Sequence, residues 1–171
     1  MLRMYHNLVS DSSSLILLVK SGLIEYVLIK NMIIIPKSVY EEVVINGKLK
    51  GFEDSYIIEG YIQKSKIKIL EPLSKTKEYV EKLCNLHLGE RDVIALAIEK
   101  KLKVICDDKK GRNACEVFRL ETITVLNILN KLYKEKKISK AYALSALLKL
   151  QNYGWYKSQL IEHIKNKIKG G

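Results

Sequence analysis

The chain has 171 residues and a mass of 19.7 kDa, the size of one domain and too short for two well-cored ones. Hydrophobic residues make up 47% and charged residues 29%, a globular composition that excludes long disordered tails. Thirty Lys and Arg against 19 Asp and Glu give a net charge of +11, and the excess is uneven. From Lys131 onward ten lysines face only Glu135 and Glu162, so +8 of that charge falls in the last 41 residues. A basic C-terminal part beside an acid-bearing body fits a polyanionic partner, most simply nucleic acid; a lysine-rich solvated helix surface is the plainer alternative. The longest apolar runs, Leu15–Val19 and Met32–Ile35, are far short of the ~20 residues of a membrane span. No secretory leader is expected at the N-terminus. Cys84, Cys106 and Cys115 are odd in number and form no Cys-x-x-Cys pair, which speaks against disulfides and zinc and for a reducing cytoplasm.

In chain order, Asn7–Ser10 reads as a short buried strand running into Asp11. Ser12–Leu23 carries Leu15, Ile16, Val19 and Leu23 at helical spacing. Met32–Ile35 is a β-branched strand stopped by Pro36, which opens a helix reaching about Gly47. A helix over Phe52–Lys64 leads to Lys66–Leu70, where Ile67 and Ile69 alternate with lysine as on an edge strand. Helices over Lys75–Leu86 and Glu90–Lys101 precede a strand at Leu102–Cys106, which ends in Asp107-Asp108. A helix near Arg112–Arg119 and a weak fifth strand at Glu121–Thr124 follow, and the remainder reads as two or three amphipathic helices. Strands separated by helices imply βαβ crossovers. The expected architecture is a three-layer α/β/α sandwich around a mostly parallel, about five-stranded sheet. Its core would span residues 1–125, with residues 126–171 a basic helical extension packed on it.

In open α/β sheets ligands bind beyond the carboxyl ends of the strands, so acids there carry most weight. Asp11 follows the first strand; Asp107 and Asp108 follow the fourth. Each has an ordinary alternative job, Asp11 as a helix cap and the aspartate pair as turn formers before Gly111. A helical wheel puts Glu90 with Val93, Ile94 and Ala97 on the sheet-facing side, and Asp92 and Glu99 on the opposite, solvent side. The same wheel sets Glu42 beside Val39 and Val43. Converging carboxylates with no cation among them repel unless a divalent ion neutralises them, and Mg²⁺ or Mn²⁺ suits an oxygen-only site. His6, His87 and His163 show no ligand spacing, which disfavours a zinc hydrolase.

Val9-Ser10-Asp11-Ser12-Ser13 and Pro36-x-x-Val39-x-x-Glu42-Val43 resemble the start of PIN-domain nucleases. Gly89-Glu90-x-x-x-Ile94-Ala95-Leu96-Ala97, with Val104-Ile105-Cys106-Asp107-Asp108-x-x-Gly111-Arg112, resembles the second half of that motif set. The last stretch is similar to small stand-alone prokaryotic PIN proteins related to VapC-type toxins. The resemblance implies an acid set of Asp11, Glu42, Glu90 and Asp108, with Asp107 a fifth and Ser13 supporting Asp11. It further implies metal-dependent cleavage of RNA, a small antitoxin partner and a homodimer.

The expected activity is therefore a divalent-metal-dependent endoribonuclease. Asp11 and Asp108 would contact Mg²⁺ or Mn²⁺ directly, Glu90 directly or through water, and Glu42 in support. Arg112, with Lys109 or Lys110, would contact a substrate phosphate. Trp155, Tyr153 and Tyr156 are candidates for stacking a base, with packing of a terminal helix the favoured alternative. The competing expectation is a non-catalytic PIN-like module that binds RNA or protein. A phospho-receiver ranks below both, because the paired acids follow the fourth strand and no lysine ends the fifth.

Overall fold

The computed structural model describes residues 6–170. Residues 1–5, on which the leader expectation rests, and the His6 side chain lie outside that description. Five short strands, β1 (His6–Ser10), β2 (Asn31–Ile35), β3 (Ile67–Ile69), β4 (Lys103–Ile105) and β5 (Thr122–Ile123), form one sheet in the order β3-β2-β1-β4-β5. Every pairing is parallel. Helices cover both faces, as a parallel sheet requires, and β-branched runs such as Ile33-Ile34-Ile35 are buried throughout. β3 is the edge strand anticipated from its alternating lysines.

The strand order reverses between β1 and β4, where Val9 pairs with Val104 and Ser10 with Ile105. That is the switch point at which a crevice opens beyond the strands. Helix α1 (Ser12–Ser21) leaves β1 directly and ends at Gly22, whose φ of +79° suits a residue without a Cβ. The Gly22 carbonyl accepts a hydrogen bond from the Tyr142 hydroxyl at 2.9 Å. A methyl group on Gly22 would sit 2.6 Å from that hydroxyl oxygen. Helix α2 (Ile24–Lys30), for which periodicity assigned no element, follows at once and buries Ile24, Val27 and Leu28. α1 and α2 bend by 106° at Gly22, and among the described residues no single helix is long and apolar enough to cross a membrane.

After Pro36 the chain forms α3 (Lys37–Tyr40), a π-helical stretch (Glu41–Asn46) and α4 (Gly47–Leu49) without interruption. The π stretch buries Val43 and Val44 in succession and turns Glu42 to solvent, which corrects the inward placement expected from a regular wheel. Helices α5 (Glu53–Gln63) and α6 (Ser74–Leu83) flank β3 in sequence. Helix α7 (Leu88–Lys100) packs on β1 and β4 and is covered in turn by α3 and α6. Consequently Asp92 does not face solvent: it is 2% exposed and pairs with Arg91 at 2.8 Å. A helix covered from two sides leaves its middle turns without the solvent face that a wheel assumes.

Helix α8 (Lys109–Val117) begins three residues before the expected Arg112 because Asp108 caps it. α9 (Val125–Lys134), α10 (Lys140–Tyr153) and α11 (Ser158–Gly170) complete the chain, with α9 and α10 lying against α1.

Candidate active site

Asp11, Asp107 and Asp108 stand at the carboxyl ends of the two central strands, β1 and β4, flanking the switch point. Asp11 caps α1: its Oδ1 accepts the Ser14 N–H at 2.7 Å and the Ser13 hydroxyl at 3.1 Å. Ser13 thus holds one oxygen of Asp11. The neighbouring serines face other elements. Ser12 donates to Glu42 Oε2 at 2.6 Å, and the buried Ser14 hydroxyl accepts the Asp107 N–H at 2.9 Å. One turn of α1 therefore joins β1 to the π stretch and to β4.

Glu42 Oε2 also faces Gly89, where a methyl group would lie 3.6 Å away. Next to Gly89, Glu90 turns its Oε2 back onto the His87 N–H at 3.1 Å and closes the first turn of α7. Asp108 Oδ2 accepts the Gly111 N–H at 2.7 Å. Gly111 is required by close approach, since a Cβ there would meet Cys106 Sγ at 2.7 Å. Asp107 is tied most fully: both carboxylate oxygens accept the Val125 N–H at 3.1 Å, and Oδ1 also accepts the Tyr156 hydroxyl. Arg112 donates to the Asp107 main-chain oxygen. Lys109 and Lys110 are exposed on the first turn of α8 beside Asp108.

Burial pushes the Asp11 carboxyl above the usual range, against hydrogen bonds from Cys106, Ser14 and Ser13. Asp107 is raised for the same reason, opposed by Tyr156, Val125 and Ser14 and by the charge of Arg112. Burial beside Asp11 also drives the Cys115 thiol up to about 12, and Cys106 higher still.

Among the described residues none of Asp11, Glu42, Glu90, Asp107 and Asp108 takes part in an ion pair, whereas Asp54, Glu59, Asp92 and Glu121 each have a lysine or arginine. Asp11, Glu42, Glu90 and Asp108 each concentrate their N–H and O–H hydrogen bonds on one oxygen. The donor chemistry accordingly fits a hard divalent cation: carboxylate oxygens, unpaired, with Asp11 destabilised by burial. No three His, Cys, Asp or Glu side chains among the described residues are already grouped as a ligand set. Each acid is held at its own helix terminus or serine instead.

Sequence reasoning did not single out Ser12, Ser14, the Val125 N–H or Tyr156 as partners of these acids. Their links span 18 to 93 residues, beyond the reach of local periodicity. A cavity of about 1220 Å³ lies at the opposite end of the sheet, against Asn7, Asn31, Lys103 and Phe118. It contains none of the candidate acids.

Five parallel strands covered by helices, with Asp11, Asp107 and Asp108 at the carboxyl ends of the two central ones, define an α/β/α sandwich domain. The family model DUF3368, a PIN domain, matches residues 7–170, and the chain belongs to that family. The match spans the C-terminal helices as well as the strands. PIN domains are generally nucleases that use divalent metals. A search of curated proteins finds no match to the chain.

Proposed function

We propose that the protein is a divalent-metal-dependent endoribonuclease. The observation carrying this reading is that Asp11 and Asp108 end the two central strands and make no ion pair among the described residues, with Asp11 raised by burial. Asp11 and Asp108 would hold Mg²⁺ or Mn²⁺, with Glu90 as a third ligand and Glu42 supporting through Ser12. When bound, the metal supplies a more acidic water and stabilises charge on the departing oxygen. The chain's own residues do the rest. Ser13 and the Ser14 N–H fix Asp11, and Lys109, Lys110 and Arg112 offer positive charge to the scissile phosphate. Asp107, with both oxygens committed, is assigned to positioning: it joins β4 to the start of α9 and to Tyr156. The exposed lysines of α9–α11 supply a sequence-independent attraction for the RNA backbone.

A fluorogenic RNA assay tests this directly. Cleavage should appear with Mn²⁺ or Mg²⁺ and vanish with EDTA. Asp11→Asn, which keeps the cap, should lower the rate by more than about 100-fold, beyond the 10–100-fold typical of outer-shell losses. Folded Asp11→Asn protein cutting at the wild-type rate contradicts the assignment. A second reading, a non-catalytic RNA- or protein-binding PIN module, is supported by the helix-capping roles of Asp11, Glu90 and Asp108 and the lack of a preformed three-acid group among the described residues. It is favoured if RNA binds but no metal restores cleavage. The VapC-like toxin role, with a small antitoxin and a homodimer, belongs to the proposal too. A short antitoxin-like reading frame beside the gene, and sedimentation of the purified protein, test those two parts.

A further inference from the structure

Three aromatic residues lie at the end of α10 and in the turn that leads to α11, and the structure gives each a different fate. Tyr153 carries Lys20 Nζ over its ring at 4.8 Å. Tyr156 folds inward and donates its hydroxyl to Asp107 at the end of β4. Trp155, between them, is 102% exposed. The expectation that it packs a terminal helix is therefore corrected. The cause is local. Gly154 lets the Tyr156 ring fold back onto the turn, where a Cβ would lie 2.6 Å from Tyr156 Cε2 and 2.8 Å from the Leu150 carbonyl oxygen. With Tyr156 drawn in, the residue before it is left facing out.

A fully solvated indole is an unusual side chain to leave uncovered, and its position is fixed by the site. Its chain neighbour is bonded to the aspartate adjoining Asp108, whose helix begins Lys109-Lys110. Lys157 follows on the other side of the turn and is exposed. A flat apolar ring, exposed next to the residue anchored at the end of β4 and two residues from the exposed Lys157, suits the face of an unstacked base.

We propose that Trp155 is a stacking platform for an unpaired base of single-stranded RNA, holding the strand beside the acidic site. This rests on the ribonuclease reading and adds a substrate contact to it. Trp155 is the only tryptophan in the chain, so its emission reports the platform alone. In EDTA, where no cleavage is required, a short single-stranded RNA should quench that emission, and the duplex of the same sequence should leave it nearly unchanged. By anisotropy of labelled RNA, Trp155→Ala should weaken binding about 5- to 100-fold, and Trp155→Phe should retain most of it. Circular dichroism checks that these exposed-site variants keep the wild-type fold.

RNA binding with unaltered emission and undiminished affinity in Trp155→Ala overturns the platform while leaving the nuclease reading intact. Absence of both RNA binding and metal-dependent cleavage overturns both. Emission that shifts with protein concentration alone, without RNA, assigns the indole to a contact between copies and also overturns it.

Discussion

Replacing Gly22 with alanine separates two contributions at the joint between α1 and the C-terminal helices. The residue sits at φ +79°, where a Cβ costs about 1–2 kcal/mol. The added methyl would also lie 2.6 Å from the Tyr142 hydroxyl oxygen, so the 2.9 Å bond from Tyr142 to the Gly22 carbonyl cannot survive unchanged. Losing that half-buried bond costs about 1 kcal/mol more. The total, about 2–3 kcal/mol, should lower Tm by about 5–10 °C for a chain of this length. Tyr142→Phe removes only the bond and keeps the edge-on packing against Tyr26, at 5.2 Å between ring centroids. It should cost about 1 kcal/mol, or about 2–4 °C. Because Gly22→Ala has already broken the bond, the double variant should fall short of the sum by about 1 kcal/mol. Calorimetry or a urea titration reads all three. Strict additivity, or a loss below about 0.5 kcal/mol for Gly22→Ala, refutes the reasoning.

Asp92→Ala should strand Arg91, whose other acidic partner, Glu81, is 3.4 Å away and more exposed. The expected loss is about 1.5–3 kcal/mol, that of hydrogen bonds to a charged group with Arg91 left partly exposed, read as a drop in urea midpoint at constant slope. An unchanged midpoint would place the Asp92 carboxylate in solvent after all. Thiol titration with a disulfide reagent at pH 8 should label Cys84 alone in the native protein and all three cysteines after denaturation. Cys115, pushed up to about 12, is ionised there to only about one part in ten thousand, and Cys106 is held higher. Rapid native labelling of two or three thiols argues against the closed packing of Cys106 and Cys115 behind Asp11.

Much of the sheet was legible because buried parallel strands demand β-branched runs, and Met32–Ile35 and Leu102–Cys106 have few other readings. Acids directly after such runs marked the carboxyl ends, so Asp11, Asp107 and Asp108 fell at the switch point as the alternation of strands and helices required. Directions of helical side chains were less legible. The wheel assumed regular turns and one covered face; the π stretch broke the first assumption at Glu42, and two-sided packing of α7 broke the second at Asp92. Helix α2 went unread because seven residues after a glycine break leave a short periodic signal, although Ile24, Val27 and Leu28 carry it. Tyr156 on Asp107 spans 49 residues, and no local pattern announces such a pair.

The three serines opening α1 have a consequence for how this region tolerates change. Successive helical residues diverge by ~100°, and here each hydroxyl meets a different element: the π stretch, the helix cap and β4. Inserting or deleting a single residue before Ser12 would rotate all three hydroxyls away from their partners together. That turn works as a keyway, admitting α1 in one rotational setting and thereby indexing the acids on three separate elements to one another.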